Sequence, residues 1–273
     1  MRINEIKEIV KEDFEGGTPL YIGRSVEEGE NIVVNMNALG SGAIIGGSGS
    51  GKSWYLYNIL MNLIYFNKSD EIDIRIVDLK DSPMNEAFQS HEHVTSFVGG
   101  SVERFKHELE ELYKEMLNRE SKIEEGTLEQ DTKSIYFIFE EATATLSDLE
   151  KELKEEEYKD LLRKIRYIVK RGRKTGIKMI IVAQRPLDIH GLEGVMENIT
   201  WGYITKLELE SDWNKVFGEE VKNIDKKIEL GKGYFKTFKG GKEQVKGIQS
   251  YLFGIDEDEI NNRGILETIR EER

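Results

Sequence analysis

Residues 42–54 read Gly-Ala-Ile-Ile-Gly-Gly-Ser-Gly-Ser-Gly-Lys-Ser-Trp, an apolar stub, a turn crowded with glycine, and a lysine that opens a long apolar run. The stub is too short for a helix and the run after the lysine has helical length, so the segment reads as strand, tight turn, helix. Gly46, Gly51, Lys52 and Ser53 stand in the G-x-x-x-x-G-K-[ST] spacing. Gly47 and Gly49 let the backbone curl until successive N–H groups point inward, a geometry that cradles phosphate. Gly46, Gly47, Ser48, Gly49, Ser50, Gly51, Lys52, Ser53 and Trp54 are therefore the candidate nucleotide-binding residues. Lys52 is expected against the β- and γ-phosphates and the Ser53 hydroxyl on Mg²⁺, with the helix turning its positive end to the anion.

A turn of this kind needs a sheet behind it. Short β-rich runs alternate with helical patterns: Ala43–Ile45, a helix over Trp54–Phe66, a strand over Ile72–Val77 and a helix over Val102–Ile123. A strand follows at Ile135–Phe139, one charged helix from about Leu146 to Arg171, and a strand at Lys178–Ala183. "WGYITKLEL" and "KGYFKTF" add strand candidates, the second leading into a turn at Gly240 and Gly241. Such alternation predicts an α/β fold of the P-loop NTPase type, a mostly parallel sheet flanked by helices. With 273 residues, three prolines and no break in composition, a single domain over residues 1–253 is expected, followed by a charged helical tail over 254–273.

Parallel strands deliver their carboxy-terminal residues to the ligand edge of the sheet. "YFIFEE" therefore brings Glu140 toward the Mg²⁺ shell and Glu141 to the attacking water, from a strand expected to neighbour the P-loop strand. Gln184, at the end of "IIVAQRP", is placed to bond the γ-phosphate or the same water. Asp78, after "IRIV", serves either the metal or a turn.

Composition narrows the partners. Acidic residues outnumber basic ones 52 to 39, a net charge of −13, so a phosphate backbone is held only where positive charge is concentrated. The basic candidates are Arg163–Lys174, with an exposed helix face expected over Arg163–Lys170, and Lys232, Lys236, Lys239 and Lys242. The absence of cysteine excludes disulfides, thiolate metal sites and a cysteine nucleophile. His91, His93, His107 and His190 show no metal-ligand spacing, and surface or turn roles are expected for them. No secretory signal opens the chain, and its longest greasy stretch, Trp54–Phe66, reads as a buried helix, too short to cross a bilayer. A cytoplasmic location is expected.

Taken in order, these motifs resemble the FtsK/SpoIIIE/HerA family of DNA-pumping ATPases, a RecA/FtsK-like group. The likeness runs from about Gly16 to Phe253 through "GGTPLYIGRSVEEGENIVVNM", which is similar to the family's lead-in strands, then "GGSGSGKS", "IVDLKD", "EMLNRES" and "FIFEEA". It continues through "RGRKTGIKMIIVAQRP", the discriminating piece, to "ENITWGYITKLELESDW" and "GKGYF". The resemblance implies ATP with Mg²⁺, a hexameric ring with a nucleotide at each subunit boundary, and an arginine from the neighbour completing the site. By position before the Gln184 strand, that arginine is Arg171 or Arg173. Two departures stand out: the membrane span and winged-helix domain of the large chromosome-segregating members are missing, and Glu140 replaces their aspartate.

The resemblance implies a motor that drives duplex DNA through a ring by ATP hydrolysis, for a plasmid, conjugative element or phage, with a relaxase or packaging protein as a further partner. The acidic balance and Glu140 keep a second function open, a nucleotide-dependent coupling or assembly ATPase whose cargo is a protein. A small-molecule kinase fits least, since no motif marks a lid or acceptor pocket.

Overall fold

The computed structural model describes residues 8–9 and 17–250, the latter without positions 81, 83–84, 86–87, 130, 187–191, 193 and 240–241. The expected tail at 254–273, the turn at Gly240–Gly241 and His190 lie outside the described residues.

Ten strands form one sheet: β1 (Pro19–Ser25), β2 (Asn31–Asn35), β3 (Gly42–Ile45), β4 (Ile72–Asp78), β5 (Val94–Gly99), β6 (Ser134–Phe139), β7 (Ile177–Ala183), β8 (Trp201–Ile204), β9 (Lys232–Lys239) and β10 (Lys242–Gln249). Among the described residues the α-helices with defined bounds are α1 (Lys52–Phe66), α2 (Val102–Glu125), α3 (Ala142–Glu152), α4 (Glu155–Thr175) and α5 (Glu210–Phe217). Across the sheet the order is β2-β1-β10-β9-β8-β3-β7-β6-β4-β5. Every pairing from β8 to β5 is parallel, and every pairing from β2 to β8 is antiparallel. The expected α/β architecture, a mostly parallel central sheet under helices, is what the chain forms.

Strand alternation divides the core in two. Ala43 and Ile45 of β3, Ile135, Phe137 and Phe139 of β6, and Met179 and Ile181 of β7 face a layer with Phe105 and Leu112 of α2 and Ile165 and Ile168 of α4. Ile44, Tyr136, Ile138, Ile180 and Val182 point the other way, into Leu56, Leu60 and Leu63 of α1. Burial on both faces is why these strands are predominantly apolar runs in the sequence, interrupted in β7 by Lys178.

Three expectations are corrected. The single helix from Leu146 to Arg171 is two, because Leu153 and Lys154 are extended between α3 and α4. The apolar stripe of α3 (Ala142, Leu146, Leu149) would meet Glu156 and Asp160 if prolonged, whereas that of α4 restarts on another phase at Tyr158, Leu161, Leu162 and Ile165. "WGYITKLEL" is strand only to Ile204, and "ESDW" already belongs to α5. His91 and His93 keep only the turn part of their expected surface or turn roles: they lie in the bend and turn before β5 but are buried, with their Nδ1 atoms 3.2 Å apart and His93 Nε2 2.9 Å from the Asn67 carbonyl.

Candidate active site

Strand register sets the site. Ile45 lies opposite Ala183, Phe139 opposite Ile181 and Val77 opposite Phe139, so the next residues, Gly46, Gln184, Glu140 and Asp78, crowd one edge of the sheet. The Glu140 strand is not the immediate neighbour of the P-loop strand, as the sequence suggested: β7 lies between them. The intervening tip carries Gln184, which places that side chain between the loop and the carboxylates.

The loop is shaped by its glycines. Gly49 and Gly51 adopt φ of 67° and 94°, values costly for any residue with a Cβ. At Gly46 a Cβ would stand 1.7 Å from Thr205 Oγ1, so this strand end accepts no side chain. Thr205, just past β8, hydrogen-bonds Ser50 Oγ at 2.7 Å, and the Gly46 and Gly47 N–H groups donate to the Ala183 and Lys206 carbonyls at 3.1 and 2.8 Å. The loop is thereby tied to both flanking strand tips. Helix α1 starts from Gly51 with no side-chain cap and no acidic residue in its first turn, so its amino-terminal N–H groups are left for an anion.

Lys52 is buried and folds back onto its own loop, Nζ donating to the Gly47 carbonyl at 3.1 Å. Burial lowers its affinity for the proton, while Glu141, Glu140 and Glu208 oppose that trend. Glu140 is also buried, and its Oε2 has no hydrogen-bond partner. Burial first, then the charges of Asp78 and Glu141, push its carboxyl up to about 8, against Lys52 and a hydrogen bond from Ser53. An acid buried with one idle oxygen, beside the loop's hydroxyl and ammonium, is a donor set that lacks a cation. Glu140 and Ser53 therefore fit Mg²⁺.

Glu141 is the single non-glycine with positive φ among the described residues, at 49°. The αL backbone costs it about 1 kcal/mol and turns the chain from β6 into α3. Its Oε2 accepts from Gln184 Nε2 at 2.9 Å. Asp78 takes the turn role: its carboxylate accepts from Lys80 N, Ser82 N and Asn85 Nδ2 at 3.1, 2.9 and 2.8 Å.

Arg171 and Arg173 lie elsewhere. Both end α4 before β7 begins, and the Arg173 Cβ is 3.4 Å from where a Gly40 Cβ would be, ahead of β3. The opposite ends of those strands hold the P-loop, some ~20 Å away at 3.3 Å per residue, so neither arginine reaches the phosphate site of its own subunit. The rest of the basic segment is largely neutralised: Arg163 by Asp160, Lys164 by Glu110 and Asp160, Arg171 and Lys174 by Glu120. Lys232 pairs with Glu229 and Lys236 with Glu243.

Sequence reasoning missed Thr205, Glu208 and the pair in which Arg185, next to Gln184, holds buried Asp212 of α5 through Nε and Nη2 at 3.0 and 3.1 Å. The end of β8 at Ile204 was the signal for Thr205, hidden by reading the strand through to Leu209.

Known structures share this fold. Among solved structures, the chain is similar to EssC (ATPases 2 and 3) from Geobacillus thermodenitrificans, TM-score 0.75 at 17% identity over 94% of this chain and 48% of that one. It is also similar to the pCW3 conjugation coupling protein TcpA, monomer form with ATPγS, TM-score 0.69 at 20% identity over 94% and 72%. At such identities the likeness is one of fold. The FtsK domain-containing protein YdcQ of Bacillus subtilis (strain 168) is 23% identical over 233 residues, 78% of this chain and 46% of that protein, so the chain spans less than half of this relative. No helix among the described residues is long and apolar enough to cross a membrane. The FtsK/SpoIIIE family model matches residues 12–149, just over half of the chain, which belongs to that family.

Proposed function

We propose that this chain is the motor domain of a ring-forming ATPase that moves DNA, in the service of a plasmid, conjugative element or phage. The observation that carries the hydrolytic part is the pair at the β6 tip: Glu140 buried with an idle oxygen beside Ser53, and Glu141 held by Gln184. ATP would supply the phosphoryl group and Mg²⁺ the positive charge beside it. Lys52 would leave the Gly47 carbonyl for phosphate oxygens, and Ser53 and an ionised Glu140 would hold the metal. Glu141 Oε1 or Oε2 takes the proton of the attacking water, with Gln184 fixing the carboxylate in place. Arg173, exposed and without an ion pair among the described residues, is offered to a neighbouring subunit, where a cation near the transferring phosphoryl group speeds hydrolysis by roughly a thousandfold or more.

Hexameric assembly, a cytoplasmic location and DNA as cargo rest on the family. Titrating duplex and single-stranded DNA into the protein with Mg²⁺ and ATP, with mass measured in parallel, tests them. DNA-stimulated phosphate release is expected, and its absence while ATP still binds overturns the DNA motor. The neutralised basic segment favours one second reading, a motor whose cargo is a protein. TcpA is a conjugation coupling protein and EccC of Thermomonospora curvata a type VII secretion ATPase, and this fold serves both. Stimulation by a polypeptide, with no retention on DNA at moderate salt, would select the second reading.

A further inference from the structure

The connection leaving β8 runs along the P-loop on the side away from Gln184, and it brings an acid with it. A Cβ on Gly47 would stand 3.0 Å from Glu208 Oε1 and 3.1 Å from its Cγ, so the carboxylate leans on the loop backbone. Lys206, two residues earlier, fixes this approach by accepting the Gly47 N–H at 2.8 Å. The Glu208 side chain is exposed and makes no hydrogen bond or ion pair among the described residues. Lys52 feels its charge, yet the ammonium is engaged by the Gly47 carbonyl, not by this carboxylate.

A loop built to collect polyphosphate thus has a fixed negative charge on its rim with no counter-ion of its own. Helix capping does not require it: α5 begins two residues later, with no side-chain hydrogen bond at its amino-terminal cap. We infer that Glu208 is an electrostatic guard of the P-loop, which weakens the hold on polyphosphate and hastens departure of the diphosphate product. The inference rests on the nucleotide-binding reading of the loop and adds to it a residue that sets affinity by charge alone. Repulsion at this range scales with phosphate charge and is partly screened by water and salt.

The test is equilibrium binding of ATP, ADP and AMP to the wild type, Glu208→Gln and Glu208→Asp, at low and at 0.5 M salt. Glu208→Gln should tighten ATP about fivefold at low salt, ADP less and AMP by under about twofold, with the gain shrinking at high salt. Glu208→Asp, which keeps the charge, should bind like the wild type. Equal affinities in the wild type and Glu208→Gln overturn the guard. Weaker binding by Glu208→Gln overturns it too, because the carboxylate would then be accepting hydrogen bonds from the ligand. A wild type that binds none of the three nucleotides overturns both the guard and the nucleotide reading beneath it, an outcome distinct from the other two.

Discussion

Replacing Glu140 by glutamine should stabilise the protein in the absence of nucleotide while abolishing its turnover. The folded carboxyl holds its proton up to about 8, whereas the ordinary value is 4.5. Between these values the folded state binds more protons than the unfolded state, so stability falls as pH rises through this window and the loss is complete above about 8. At pH 7 the gap of roughly 2.5 pH units corresponds to about 3 kcal/mol. Glutamine does not titrate, but it leaves a buried amide group short of a partner, a cost of about 1 kcal/mol. The net gain is about 2 kcal/mol, or ~4–8 °C in Tm for a domain of this size. Thermal melts without Mg²⁺ or ATP should show the two proteins nearly level at pH 5.5, the variant ahead at pH 7 and further ahead at pH 8.5. Adding Mg²⁺ and ATP should reverse the order, since only the carboxylate gains a cation. A variant that melts below the wild type at every pH, or a difference that ignores pH, would refute the reasoning.

Lys178 offers a second pH test of opposite sign: burial, helped by the charge of Arg173, brings its ammonium down to about 8 from 10.5 while Nζ donates to the Met36 carbonyl at 2.7 Å. The unfolded chain holds that proton longer, so between about 8 and 10.5 the wild type should gain stability relative to Lys178→Met, by about 3 kcal/mol at most; urea titrations at pH 7.5 and 9.5 measure it. Gln184→Ala frees Glu141 and should lower kcat on the order of a hundredfold with KM little changed, as expected for misplacing a reacting group; steady-state phosphate release that shows a raised KM and an intact kcat would move Gln184 to ground-state binding. Gly46→Ala drives a methyl into Thr205 Oγ1 and should destabilise the fold by about 1–3 kcal/mol, with ATP binding lost in a fluorescence titration and partly recovered when Thr205→Ala is added.

What the sequence makes legible are features that are local. The loop from Gly46 to Ser53 is written in glycine spacing, and β6 and β7 stand out because strands buried on both faces are dominated by apolar side chains, with Lys178 the polar residue admitted into β7. Edge strand β5 escaped notice because its polar residues are used sideways: Thr95 bonds Asp73 and Ser96 bonds Glu108, which leaves no alternation of apolar and polar positions to read. The break between α3 and α4 was encoded in the change of apolar phase at Glu156 and Asp160, but good helix formers on both sides mask it. Sheet order is not encoded locally at all. That β7 separates β3 from β6 decides that Gln184 meets Glu141, and no spacing in the chain announces it.

The costs of this fold collect on one edge of the sheet. Glu140 gives up solvent without gaining a cation, Glu141 accepts an αL backbone, and four glycines between Gly46 and Gly51 surrender more conformational freedom than other residues would. At the opposite end of β7 Lys178 carries a comparable burial cost, while α2 and α4 are laced by pairs such as Lys164 with Glu110 and Lys174 with Glu120. Because the terms at Glu140, Glu141 and the glycines sit at the tips of β3 and β6, one ligand bound there would relieve several of them together. With nucleotide and metal bound, Lys52 would exchange a carbonyl for phosphate, Glu140 would gain a cation for its idle oxygen, and the bare amino end of α1 would receive an anion. Arg185, the residue after Gln184, holds α5 through Asp212, so a ligand that shifted the β7 tip would also bear on that helix.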